Sequence, residues 1–89
     1  MTGRLALVRR ARIVWDAHES VHFLLWPERG LRLNDTASMI VSMCDGTRTA
    51  DELAADCVTA YSESPSESIR DEVVAFLTEL TRRGLVRAL

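Results

Sequence analysis

The apolar pattern of the chain changes period at Asn34, and that switch limits the fold more than any other feature of the sequence. Before it, Arg12–Asp16 and Val21–Trp26 are short runs rich in β-branched and aromatic residues, separated by the polar stretch Asp16-Ala17-His18-Glu19-Ser20, a pattern that predicts a hairpin. Trp26-Pro27-Glu28-Arg29-Gly30 supplies a second turn, because Pro27 cannot donate to a ladder and Gly30 can take positive φ. A third short strand follows at residues 31–33. Val21, Phe23 and Leu25 share one face of the middle strand, and Leu31 and Leu33 share one face of the third. One side of a three-stranded antiparallel sheet is therefore expected to be buried through them.

After Asn34 the period is about 3.6. Asn34 or Asp35 caps a first helix through Met43, with Ala37, Ile40, Val41 and Cys44 at i, i+3, i+4 and i+7, and Gly46 just past its end. Thr49-Ala50-Asp51-Glu52 is a capping box that starts a second helix, continuing through Leu53, Cys57, Val58 and Tyr61. Ser64-Pro65-Ser66-Glu67 predicts a third, with its cap at Ser64, proline in the first helical position, an end at Arg83 and a stop at Gly84. Leu85 and Val86 add a short extended tail. At 100° per residue, Ile69, Val73, Phe76 and Leu80 form a narrow core arc on the third helix, with Leu77 at its edge and Arg70 and Val74 on the flank. Val74 is either a solitary surface valine or part of a groove. The expected architecture is α+β and winged-helix-like, a three-stranded antiparallel sheet followed by a three-helix bundle, in one domain over residues 1–89.

Eighty-nine residues, 47% of them hydrophobic, suffice for one core but not for a deep substrate cavity as well, which weighs against an enzyme. No catalytic residue stands out. His18 and His22 flank the first hairpin turn away from any cysteine or Ser/His/Asp arrangement, and the four glycines form no phosphate loop. Cys44 and Cys57 lack further ligands at metal spacing, so no metal and no cofactor are expected; the thiols are either small buried hydrophobes or partners in an inter-helix disulfide. No apolar run approaches the ~18 residues of a membrane span, and Arg4 is followed by no signal-peptide core, which predicts a cytoplasmic protein with no membrane partner.

All eleven basic residues are arginine, and their placement is uneven. Residues 1–33 carry six arginines against three acids, whereas residues 34–89 carry five against ten. Three strands and three helices also suit a winged-helix DNA-binding protein, so charge becomes the discriminator. Between Asp51 and Glu79 there are eight acids and one arginine, a face that phosphates would repel, and nucleic acid is not an expected partner.

The segment from Val21 to Ala37 resembles the signature region of the PqqD family, the pyrroloquinoline quinone biosynthesis proteins D. The residues that carry the likeness are Leu24, Leu25, Trp26, Pro27, Glu28, Gly30, Leu31, Leu33, Asn34, Asp35, Thr36 and Ala37. Cys44-Asp45-Gly46-Thr47-Arg48-Thr49 is similar to the family's Asp-Gly connection, and the stretch from Val73 to Leu85 to its closing helix, so the resemblance covers roughly residues 8 to 87. Trp26 stands where tyrosine is common, and Arg29 separates Glu28 from Gly30 where the family often has them adjacent. The resemblance implies a non-catalytic peptide chaperone that binds the leader of a ribosomally made, PqqA-like precursor. It would deliver that precursor to a radical S-adenosylmethionine enzyme, PqqE-like, in pyrroloquinoline quinone biosynthesis or in another modified-peptide pathway.

Physical chemistry leads to the same role. A short last strand beside the helices leaves an edge of unpaired N–H and C=O groups to which an extended peptide can add. Leu31, Arg32 and Leu33 are the expected contacts on the strand side, and Arg70, Val74 and Leu77 on the helix side, with Arg32 and Arg70 facing acids of the leader. If the edge instead paired with its own copy, the chain would be a homodimer.

Overall fold

The computed structural model describes residues 3–89. Its order is β1 (Arg4–Leu7), β2 (Arg12–Asp16), β3 (Val21–Trp26), β4 (Arg29–Leu33), α1 (Asp35–Met43), β5 (Asp45–Thr49), α2 (Ala50–Ala60), α3 (Ser66–Arg82) and β6 (Val86–Ala88). The class is α+β, with two three-stranded antiparallel sheets, ordered β2-β3-β4 and β5-β1-β6, enclosing a core with three helices.

The β2-β3-β4 meander forms where alternation placed it, and Leu31 and Leu33 turn to the core as expected, but β3 buries its other face. Cross-strand pairs fall at Ile13↔Leu24↔Leu31 and Trp15↔His22↔Leu33, and opposed residues of an antiparallel sheet share a face. Leu24 and Leu33 on that face are buried, with Ile13, Trp26 and Leu31 packed beside them. Val21, Phe23 and Leu25 project from the opposite, outer face, where they are only half-buried. An unbroken apolar run such as Phe23-Leu24-Leu25-Trp26 is equally apolar at both parities, so alternation alone cannot choose between faces. Gly30 likewise serves a different end. It sits inside β4 opposite Leu25, and an added Cβ would lie 3.0 Å from Leu25 Cδ2, so the glycine admits a close cross-strand side chain rather than a positive φ.

The second sheet joins distant parts of the sequence that local patterning leaves unassigned. β1 pairs with β5 through Arg4↔Thr49 and Ala6↔Asp45, and with β6 through Leu5↔Ala88, Ala6↔Arg87 and Leu7↔Val86. The extended tail expected at Leu85 and Val86 is thus β6. The Asp-Gly connection is itself a strand, with Gly46 at φ +87°.

Two helix starts follow their capping signals. Asn34 Oδ1 accepts from Ala37 N at 2.8 Å, and the Thr49/Glu52 capping box closes with both bonds, Thr49 N to Glu52 Oε1 at 2.9 Å and Glu52 N to Thr49 Oγ1 at 3.2 Å. The third does not. Pro65 itself occupies the N-cap of α3, with extended ψ and no side-chain cap, and its carbonyl accepts from Ile69 N at 3.2 Å, so Ser64 lies one residue too early to cap. At the other end Gly84, at φ +70°, donates to Thr81 O and Leu85 N donates to Leu80 O, a Schellman closure in which Leu80 and Leu85 are both fully buried.

The core arc of α3 is Ile69, Val73, Leu77 and Leu80, rotated from the sequence expectation: Leu77 is fully buried and Phe76 is left half-exposed. Leu77→Ala should therefore destabilise the fold by about 2–5 kcal/mol, and Phe76→Ala by clearly less, in chemical denaturation of both variants. Equal losses would show that Phe76 is a core residue after all. Gly84→Ala should cost about 1 kcal/mol, because its left-handed backbone disfavours a Cβ.

Candidate functional site

β4 is bonded to β3 on one side, and its other side is a sheet edge. Alternate N–H and C=O groups of such a strand point outward and are free to pair. Three recesses lie along it. One of about 200 Å³ is lined by Leu31, Arg32 and Asn34 from the strand side, Ala37 from α1, and Glu72 and Phe76 from α3. A second, of about 480 Å³, shares Arg32 and Asn34 and extends past the strand's end to Trp15, His22 and Ser38. The third, of about 310 Å³, lies at the start of the strand between Trp26, Arg29 and Arg83.

Helical geometry explains which residues of α3 wall this groove. Glu72, Phe76, Glu79 and Arg83 recur at i, i+4, i+7 and i+11, one stripe along the helix. Arg70 is about 160° to 200° away from Glu72 around the axis, and Val74 lies beside Arg70, so both sit on the opposite, exposed flank. Leu33 and Leu77 are core residues, 3% and 0% exposed. Of the six residues expected to contact a peptide, the structure brings Leu31 and Arg32 to the groove, sets the buried Leu33 in the wall of the second recess, places Leu77 behind, and turns Arg70 and Val74 away. Glu72 and Phe76 are not among those six, and the helical period places Phe76 in the core. The two sets lie on opposite flanks of the same core arc, and periodicity locates the arc without deciding which flank faces β4. Ala37 and Ile40 enter the groove only because α1 folds back over β4, which no local signal encodes.

Arg32 already has a partner: its Nη1 donates to Glu19 Oε1 at 2.8 Å, tying β4 to the first hairpin turn. The turn is closed by Asp16 Oδ1, which accepts from His18 N and Glu19 N. At the other end Glu79 accepts from Arg82 and from Arg83, each at 2.6 Å, and these bonds hold its carboxyl down at about 2. Glu79 is thus ionised throughout the physiological range.

A further recess, of about 460 Å³, covers Val14, Phe23 and Leu25 on the outer face of the β2-β3-β4 sheet. It lies over a pleated face rather than along an edge, so it offers apolar contact without main-chain pairing. No cluster of three or more His, Cys, Asp or Glu side chains that could hold a metal ion occurs among the described residues, and no helix there is long and apolar enough to cross a membrane. Cys44 and Cys57 are both buried free thiols, not a disulfide.

The family model described as coenzyme PQQ synthesis protein D (PqqD) matches residues 22–86. A PqqA binding protein of Stutzerimonas stutzeri is 36% identical over 75 residues, 84% of this chain and 79% of the relative. One from Rhizobium meliloti is 35% identical over 80 residues, 90% and 81% of the two chains. Among solved structures, the PqqD truncation of Methylobacterium extorquens PqqCD, described as a stand-alone recognition element for ribosomally synthesized and post-translationally modified peptides, superposes with a TM-score of 0.74 at 25% identity, over 93% of this chain and 87% of that one. Lasso peptide synthetase B1, solved with its leader peptide, has the same fold, with a TM-score of 0.76 at 20% identity over 96% and 99% of the chains.

Burial, with the Asp45 carboxylate adding to it, raises the Cys44 thiol from 9.0 to about 11. Native protein should therefore react slowly with a thiol-exchange disulfide at neutral pH and rapidly once unfolded. The raised value favours the folded state below pH 9.0, and that contribution should fade as pH climbs from there toward 11. Immediate reaction of both thiols in the native state would contradict the buried environment.

Proposed function

The chain belongs to the PqqD family, and from that premise we propose that it is a leader-peptide recognition domain. It binds an extended segment of a PqqA-like precursor as an added strand on β4 and holds it for a PqqE-like radical S-adenosylmethionine enzyme in the cytoplasm. One observation carries this reading: the open edge of β4 runs alongside a groove whose far wall is α3. The names of relatives as PqqA binding proteins support the choice of ligand.

The division of labour follows from the geometry. Main-chain bonds to the β4 edge contribute about 0.5–1.5 kcal/mol each and are indifferent to sequence, so they supply affinity. Side chains of an added strand alternate between the sheet's two faces, so every second residue of the peptide enters the groove. There Leu31, Ala37, Ile40 and Phe76 offer an apolar seat. A leader that orders on binding loses about 2–5 kcal/mol of that gain, which keeps the complex exchangeable, as handing a peptide to an enzyme requires. The role is binding alone, with the bond-making left to the partner enzyme, and the single domain over residues 1–89 suffices for it.

Titration of a 15N-labelled sample with PqqA of Stutzerimonas stutzeri should shift amides of residues 29–34 and of the α3 stripe Glu72 to Arg83. Phe76→Ala should weaken binding about tenfold, roughly 1.4 kcal/mol. Shifts confined to Val14, Phe23 and Leu25 on the outer sheet face would overturn the groove as the site, and no shifts at all would overturn the choice of ligand.

A further inference from the structure

The groove is polarised along its length. β4 spans about 16 Å at roughly 3.3 Å per residue, and α3 rises about 16 Å from Glu72 to Arg83, so the two walls are matched. They run antiparallel: Leu31 and, just past the end of β4, Asn34 share one recess with Glu72 and Phe76 from the first half of α3, whereas Arg29 at the strand's start shares another with Arg83 at the helix's end. Arg29, Leu31 and Leu33 share the face of β4 turned toward the helices, opposite Trp26, Leu24 and His22. Moving along the groove, a bound strand therefore meets the Glu72 carboxylate, then an apolar seat, then Arg29 and Arg83 around the Trp26 indole, where the Glu79 carboxylate is already engaged by Arg82 and Arg83.

The cationic end extends beyond Arg29 and Arg83. Arg10 and Arg12 line a recess on the other side of Trp26 with Leu25 and Pro27. Arg10 is held there by a 3.0 Å bond from its Nη2 to the Gly84 carbonyl, a neutral acceptor that leaves its charge uncompensated. Arg82 and Arg83 share the single carboxylate of Glu79, and Glu28 sits at the adjacent turn. Five guanidinium groups thus surround two carboxylates. Arg10, Arg12 and Arg29 form no ion pair among the described residues, in a chain whose overall charge is minus 2.

Resting on the leader-binding reading above, we infer that the bound peptide places an acidic side chain between Arg29 and Arg83 beside Trp26, two residues along the added strand from the apolar side chain seated against Leu31 and Phe76. The spacing follows from the pleat. Leu31 and Arg29 are two positions apart on one face, so peptide residues two apart face them in turn. A carboxylate there meets planar guanidinium forks in a recess narrowed by the indole, the geometry in which arginine binds carboxylates best. Because main-chain pairing alone tolerates slippage by two residues, this contact fixes the register at which the leader sits and the direction in which it runs. Glu72 at the opposite end disfavours the reversed or slipped placement that would bring the acid against it.

The test uses PqqA of Stutzerimonas stutzeri, with Trp15→Phe as background so that Trp26 is the remaining indole and its fluorescence reports on the cationic end. Arg29→Glu with Arg83→Glu should weaken binding about tenfold or more and flatten its dependence on salt. Arg87→Glu, one such charge reversal placed on β6, should alter affinity less than twofold. Glutamine replacing one particular acid of PqqA should weaken binding to the parent protein yet cost nothing further in the double variant, the signature of a coupled pair. Thermal midpoints of the exposed-site variants check that folding is intact. If the double variant binds within twofold of the parent while Phe76→Ala binds weakly, the groove is the site but the acid contact is not, and this inference falls alone. If the parent does not bind PqqA, both readings fall together.

Discussion

The parity of β3 decides where everything else goes. Leu24 is fully buried, and with it Leu33 and Ile13 face the helices, so β4 is presented with its edge outward and its inner face against α1 and α3. A shift of one residue in the pairing would send Phe23 and Leu25 inward, expel Leu24 and Leu33, and turn Arg29 and Leu31 away from α3. The groove is thus a by-product of how the core is filled. Its apolar seat is what remains where Phe76, at the margin of the α3 core arc, stops short of full burial.

Local chemistry made the meander, two helix caps and the glycine stop legible, because each depends on residues within four or five positions of one another. The β5-β1-β6 sheet was not legible for the complementary reason: its pairs join Arg4 to Thr49 and Leu5 to Ala88, and strands of three to five residues carry too little alternation to announce themselves. Within the candidate site, the strand side was readable at Leu31 and Arg32, and the edge of β4 followed from the order of elements. The helix side was not. Arg70, Val74 and Leu77 lie at neighbouring angles on α3, but that flank packs behind or away from the groove, and only the tertiary arrangement shows that Glu72 and Phe76 are the residues turned toward β4.

The choice between outer face and edge shows how apolar area and hydrogen-bonding capacity differ as indicators of binding. The recess over Val14, Phe23 and Leu25 is the roomier, yet the smaller one beside Phe76 adjoins a row of unpaired main-chain groups. For an extended peptide the second property governs, because each buried amide of the ligand needs a partner.

The central place of β1 has one more consequence. An added Cβ on Gly3 would stand 2.7 Å from the Leu89 carbonyl oxygen, and Leu89 N donates to Arg4 O at 2.7 Å, so residues 3 and 89 lie side by side. The groove is walled by β4, α1 and α3, with no residue from β1 or β6 lining it. A domain laid out this way can be spliced into a larger polypeptide, or circularly permuted through a short linker, while the peptide-facing side stays clear of the junction.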